Sequence, residues 1–259
     1  MLTTSGHMAW LFPNFEKCQK NKRRNVKMTT DKKSLFETAY KEGRNFLLEH
    51  EALQIFEAAG VVFPPNKLTK DVDEAVAFAK KIGYPIVIKA MSPQILHKSD
   101  FKAVEIGITD EGALKAKYEA MKARLQKFAL NGILVEKQVK KGIELFIGMN
   151  IDPTFGPVIA FGIGGTLIEA IRDVTFRLCP TTKERAQRMI DEIKTQKMLN
   201  GFRGLPPVDR DALAEMIVNV SKIADKYNNY IKEIDLNPVI ANEDGIFGVD
   251  ARIILKAKD

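Results

Sequence analysis

Cysteine is nearly absent from this chain: Cys18 and Cys179 are the two in 259 residues, with no Cys-x-x-Cys pair and no framework spacing. That argues against a disulfide scaffold or a thiolate zinc site, and it suits a reducing compartment, so a cytoplasmic location is expected. Long apolar runs are missing as well. The longest nearly uncharged stretch, Gly156 to Ile171 ("GPVIAFGIGGTLIEAI"), is broken by glycines, carries Glu169 and is too short for a bilayer, so no membrane span is read. No repeat of fixed period and no low-complexity linker divides the body of the chain.

Acidic residues are scarce in one place. Residues 1–27 hold Lys17, Lys20, Lys22, Arg23, Arg24 and Lys27 against Glu16 alone, which leaves the rest of the chain with only +2 of the formal net charge of +7. A body so near neutrality, without interleaved basic and aromatic residues, argues against nucleic-acid binding. Residues 1–33 are expected to form a disordered basic extension. It suits a targeting segment or an extension upstream of a start at Met28, and "SGHM" near its beginning also looks like a vector remnant.

What is present reads as a globular domain over residues 34–259, with 45% hydrophobic and 28% charged residues. Apolar residues from Ser34 to Ala59 recur at helical spacing, predicting one or two helices that stop at Gly60. "VVFPPNKL" predicts a short strand running into a proline turn, "DVDEAVAFAKKIG" a helix ending at Gly83, and "YPIVIKAM" a buried strand. Further on, "AVEIGI" alternates as a strand does, residues 110–129 predict a long helix, and "GILVEKQV" and "ELFIGMNID" predict strands joined at "KKG". "GPVIAFGIGG" predicts a strand entering a glycine turn, with helices near 183–195 and 209–228 and final strands in "IKEIDLNPVIA" and "GIFGVDARIIL". The pattern predicts an α+β arrangement of two lobes, about 34–135 and 136–259, sharing one cleft.

Several segments carry candidate chemistry. Lys89 ends an apolar strand, where an ammonium serves as a point charge for phosphate; a snorkelling lysine is the plainer alternative. Glu136 and Lys137 close another strand and precede Glu144, a pattern that suits a hinge offering backbone groups to an adenine edge and a carboxylate to ribose. Gly162, Gly164 and Gly165 permit backbone N–H groups to converge on an anion, although a glycine turn with no ligand is commoner. Asp235, Asn237 and Asp250 supply hard oxygen donors across a predicted hairpin, suited to Mg²⁺ that keeps waters and bridges phosphates, or to local turn bonding. Of the three histidines, His7 falls in the extension and His50 in a predicted helix, which leaves His97 in a loop beside Lys98. A neutral imidazole in that setting is a nucleophile able to accept and release a phosphoryl group, and a lone histidine is more often inert.

Taken together, "GYPIVIKAMSPQILHKSD", "DPTFGPVIAFGIGGTLIEAIRDVTFRLCP", "GFRGLPP" and "EIDLNPV…VDARIIL" make residues 45 to 256 resemble the β subunit of the ADP-forming acyl-CoA synthetases. The resemblance implies an ATP-grasp fold, with ATP or ADP and Mg²⁺ in the cleft between two lobes. It implies the reversible reaction acyl-CoA + ADP + phosphate giving carboxylate + ATP + CoA, and a CoA-binding α subunit as partner in a heterotetramer. By the same matching His97 ferries phosphate, Lys89, Glu136, Lys137, Val139, Glu144, Gly164 and Gly165 hold nucleotide, and Asp235, Asn237 and Asp250 hold the metal. Where many relatives place a glycine pair after the histidine motif, this chain has Lys102 and Ala103, so the local turn is expected to differ. An ATP-grasp carboxylate–amine ligase and a nucleotide-binding regulatory module of an acyltransferase-type fusion are the alternatives.

Overall fold

Helix signals in this chain are local and chemical. Asp71 accepts a hydrogen bond from the Glu74 N–H at 2.8 Å, Asp110 from Ala113 at 2.8 Å, and Asp209 from Ala212 at 3.0 Å, each satisfying an N–H that the first helical turn leaves open. In the computed structural model, which describes residues 32–95, 97–165, 173–201 and 205–258, these caps start three of six helices. The elements run α1 (Lys33–Lys41), β1 (Phe46–Leu47), α2 (Glu49–Ala58), β2 (Asn66–Thr69), α3 (Val72–Ile82), β3 (Ile86–Met91) and β4 (Val104–Ile108). They continue with α4 (Glu111–Arg124), β5 (Gly132–Lys137), β6 (Ile143–Asp152), β7 (Gly156–Ile163), β8 (Val174–Leu178), α5 (Lys183–Glu192), α6 (Arg210–Lys226), β9 (Ile231–Asn242), β10 (Gly245–Gly248) and β11 (Ala251–Leu255).

The strands form two antiparallel sheets. The smaller has the order β2-β5-β3-β4, and the larger β1-β11-β9-β6-β7-β8 with β10 beside β9. Because β2 and β3 both pair antiparallel with β5, the β2–α3–β3 unit is a split crossover with β5 inserted between its strands. Helices α3 and α4 cover one face of the small sheet through Ala79, Leu114, Tyr118 and Met121. Met91 and Leu134 on its strands join the other core, with Phe56, Met189 and Ile217. With both faces covered, all six residues of β3 are buried, which is why its sequence is apolar apart from Lys89 rather than alternating.

The division between lobes differs from the expected one at 135/136. Residues 33–63 belong with the second lobe, since β1 pairs with β11 and Phe36, Leu47 and Phe56 lie in the large-sheet core. The small lobe is therefore an insertion, entered near Pro64 and left after Lys137. Sequence proximity grouped the first helices with the small sheet; packing of their apolar faces groups them with the large one. Other expectations shift for local reasons. The strand near 61–68 begins after Pro64 and Pro65, which have no N–H to give a ladder. The long helix ends at Arg124, as the Phe128 N–H reaches only to the Leu125 carbonyl and tightens the last turn. β5 and β6 do not pair with each other: residues 138–142 carry the chain from one sheet to the other. The extension expected over 1–33, residues 166–172 after the glycine turn, and part of "GFRGLPP" lie outside the described residues, apart from Lys32 and Lys33 and the ends of that last motif.

Candidate functional site

A cavity of about 210 Å³ opens where the segment after β3 crosses the large sheet, lined among others by Glu49, His97, Lys98, Asp235, Asn237 and Arg252. Asp250 and Ser92 complete its polar wall. That volume is below the about 300–1,000 Å³ of sites enclosing a whole drug-sized ligand, and is of a size for a phosphoryl group and its counter-ion. Asp235 and Asn237 come from β9, while Asp250 lies in the break between β10 and β11, whose register sets Ala251 opposite Leu236. His97 is exposed at the rim.

The segment carrying His97 is a single helical turn. The Ala103 N–H donates to the Lys98 carbonyl at 2.8 Å and the Lys102 N–H to the Ser99 carbonyl at 3.1 Å. Lys102 closes the turn at φ 49°, in the left-handed region that glycine adopts freely. The glycine-type turn is thus kept although the glycine is not. Phe101 packs edge-on against Phe128 with centroids 5.2 Å apart, which fastens the segment to the small lobe.

Behind the cavity wall lies a buried charge cluster. The Lys89 ammonium donates to Glu49 Oε1 at 2.7 Å and to the Val249 carbonyl at 2.6 Å, and lies 2.9 Å from Glu136 Oε1. Lys98 lies 2.9 Å from Glu49 Oε2 and 3.2 Å from Asp250 Oδ1. Three carboxyl groups thus face two ammoniums. Burial lowers the Lys89 pKa, but Glu49, Glu136 and Asp250 more than offset it and hold the ammonium charged. Burial dominates at Glu136 and pushes its carboxyl up to about 7, against the pull of Lys89. The Asp250 carboxyl is held below the usual range, Lys98 and Lys89 outweighing its burial, and Asp235 is raised chiefly by burial.

Lys89 is not the open strand-end cation the sequence suggested. β3 runs on to Met91, and all three ammonium N–H groups have acceptors, so Lys89 reaches phosphate only by exchanging partners. Lys137 is expected to offer backbone groups, and its side chain is engaged elsewhere. Its ammonium donates to the carbonyls of Gly83 at 3.2 Å and Tyr84 at 2.6 Å, closing the end of α3, so its side chain is committed to the fold. Val139 is half-buried in the passage between sheets. Glu144, Gly164 and Gly165 form a separate group: the Gly164 N–H donates to the Glu144 carbonyl at 2.7 Å, and a Cβ on Gly165 would come within 2.3 Å of Glu144 Oε2. Glu144 pairs with Ile240, three residues along β9 from Asn237, so this group lies farther along the same sheet.

The donor set fits Mg²⁺ of a particular kind. Among the described residues no group of three or more His, Cys, Asp and Glu stands ready to hold a metal. Two carboxylates and the Asn237 amide on one cavity wall suit an ion that keeps waters and takes its remaining ligands from phosphate. Glu49 and Arg252 are site residues the sequence reading missed. Arg252 Nη2 donates to Glu233 Oε1 at 3.0 Å and lies 3.5 Å from Asp235 Oδ2, while its buried Nε has no partner. Its place two residues after Asp250 on a strand was the available signal.

Two antiparallel-sheet lobes with a charged cleft between them define a class, and residues 38–255 match the model of the ATP-grasp domain family. The β subunit of acetate–CoA ligase [ADP-forming] II of Pyrococcus furiosus is 44% identical over 228 residues, covering 86% of this chain and 97% of that protein. The 4-hydroxybutyrate–CoA ligase [ADP-forming] of Nitrosopumilus maritimus is 42% identical over 217 residues, 82% of this chain and 31% of that protein. Among solved structures, acetyl-coenzyme A synthetase 1 of Ca. Korarchaeum cryptofilum aligns at TM-score 0.78 with 38% identity, covering 87% of this chain and all of that one. That protein is in complex with coenzyme A and Mg-AMPPCP, its phosphohistidine segment pointing towards the nucleotide binding site. The chain belongs to the ATP-grasp family and, within it, to the β subunits of the ADP-forming acetate–CoA ligases.

Proposed function

We propose that this chain is the nucleotide-handling β subunit of an ADP-forming acyl-CoA synthetase and that His97 carries phosphate between a CoA-binding α subunit and the nucleotide. The observation that supports it is the placing of the His97 ring at the rim of the cavity whose wall holds Asp235, Asn237, Asp250 and Lys98. In the ATP-consuming direction an imidazole nitrogen attacks the γ-phosphorus, the bond from that phosphorus to the β,γ-bridging oxygen breaks, and ADP leaves with the electron pair. Such a transfer requires little covalent help from the protein. It requires alignment and positive charge, here Lys98 and Lys89, with Mg²⁺ held by Asp235, Asn237 and Asp250 to neutralise phosphate oxygens. Exposure of His97 suits a residue that must meet two sites in turn. The reading includes a heterotetramer with the α subunit and leaves Glu144, Gly164 and Gly165 as the ribose and phosphate side of the nucleotide pocket.

The test is His97→Gln with radiolabelled ATP and Mg²⁺, on the chain reconstituted with its partner. Wild type should acquire acid-labile, alkali-stable label on this chain. The variant should acquire none and lose acid- and CoA-dependent turnover while ATP affinity stays within about twofold. Turnover that survives the substitution would reject the shuttle.

A further inference from the structure

Glu49 occupies an odd place for an anion. It is the first residue of α2, its side chain is 1% exposed, and it lies beside the cavity read above as a phosphate site, where a carboxylate repels the substrate. Its two oxygens face different ammoniums, Lys89 at 2.7 Å and Lys98 at 2.9 Å. Only the first contact is a hydrogen bond: Oε2 is buried and has no donor aligned with it. A carboxylate kept for stability alone would have its lone pairs filled. Lys89 belongs to the small sheet and Lys98 directly follows His97, whereas Glu49 belongs to the large lobe. One side chain therefore holds a cation of each of the two pieces that must meet the phosphate.

We propose that Glu49 is a positioning residue for phosphoryl transfer, a resident anion that docks the His97 segment through Lys98, keeps Lys89 aligned, and yields both ammoniums to the incoming phosphate. The inference rests on the reading of His97 as the phosphate carrier. Competition between a fixed carboxylate and an arriving phosphate keeps the two lysines from pairing elsewhere when the site is empty. It also returns them once phosphate has gone, and with Lys98 the His97 ring is brought back to the rim. Asp250, the second partner of Lys98, accepts a hydrogen bond from it at 3.2 Å and shares the docking, but it has no contact with Lys89 and so does not join the two cations.

The test compares wild type, Glu49→Gln and His97→Gln as full chains with the partner subunit. Three readouts are followed: amide hydrogen exchange over residues 97–103, nucleotide affinity by calorimetry, and the single-turnover rate of histidine labelling. Glu49→Gln should speed exchange in that segment about tenfold and slow labelling about tenfold, with nucleotide affinity unchanged or tighter, because Lys89 is freed from a competitor. Unchanged exchange, or affinity and labelling rate falling together, would overturn the proposal. Should Glu49→Gln fail to fold, Lys98→Gln tests the same link from the more accessible side, with the same shifts expected in exchange and labelling and the same overturning result. Label persisting in His97→Gln would sink the carrier reading instead, while the exchange comparison would still decide whether Glu49 docks the segment.

Discussion

Glu49 and Glu51 stand two residues apart in the first turn of α2, both buried and both facing cations, yet they do opposite work. Glu51 is fully engaged: Arg44 Nη1 and Nη2 donate to its two oxygens at 2.8 and 2.9 Å, and the Leu48 N–H donates to Oε2 at 2.8 Å. Arg44 is itself tied to Glu42 at 2.8 Å and to the Phe46 carbonyl at 3.0 Å. This forked pair closes the loop between α1 and α2 and leaves nothing over. Glu49, by contrast, shares two ammoniums with Glu136 and Asp250 and keeps an oxygen unfilled. The difference teaches how to tell a clip from a site: a buried charge kept for shape is saturated, and one kept for chemistry has valence to spare.

Substitution should separate the two most sharply at Arg44. Arg44→Met strands the Glu51 carboxylate, and about 3 kcal/mol of stability should be lost in denaturant unfolding while nucleotide affinity of the folded fraction holds. Altered affinity with unaltered stability would erase the contrast. The site, unlike the clip, should respond to mild pH changes. Because Glu136 is raised from 4.5 to about 7 in the folded chain, its contribution is fully present below 4.5 and is lost as pH rises through about 7. Stability measured across that window should fall with pH in wild type and flatten in Glu136→Gln; a parallel slope in both would place the titration elsewhere. Asp250, shifted the other way, contributes above its ordinary 3.8 and loses that contribution as pH falls. The smallest effect concerns the turn after His97. Lys102→Gly removes the cost of a left-handed backbone at φ 49° and should raise stability by about 1 kcal/mol, seen as a higher melting temperature. No gain would mean that the turn adopts another conformation in solution.

Much of this was legible in the sequence because its causes are local. Asp71, Asp110 and Gly83 mark helix ends through bonds made within four residues, and the run of β3, apolar apart from Lys89, announced a buried strand. His97, Asp235, Asn237 and Asp250, which loop position and the predicted hairpin had singled out, line one cavity. What escaped depended on distant partners. Glu49 reads as an ordinary acid at a helix start, and only the fold brings Lys89, forty residues on, to within 2.7 Å. The use of the Lys137 ammonium on the Gly83 and Tyr84 carbonyls follows from the close of α3 on β5, which spacing does not encode. The same holds for the placement of α1 and α2, whose apolar stripes do not say which sheet they cover.

The small lobe is hung from the large one by two stretches of chain, and these are bonded to each other: the Lys137 N–H donates to the Pro65 carbonyl at 2.9 Å. A displacement of either stretch is thereby handed to the other, so the two act as one joined mooring between the sheets.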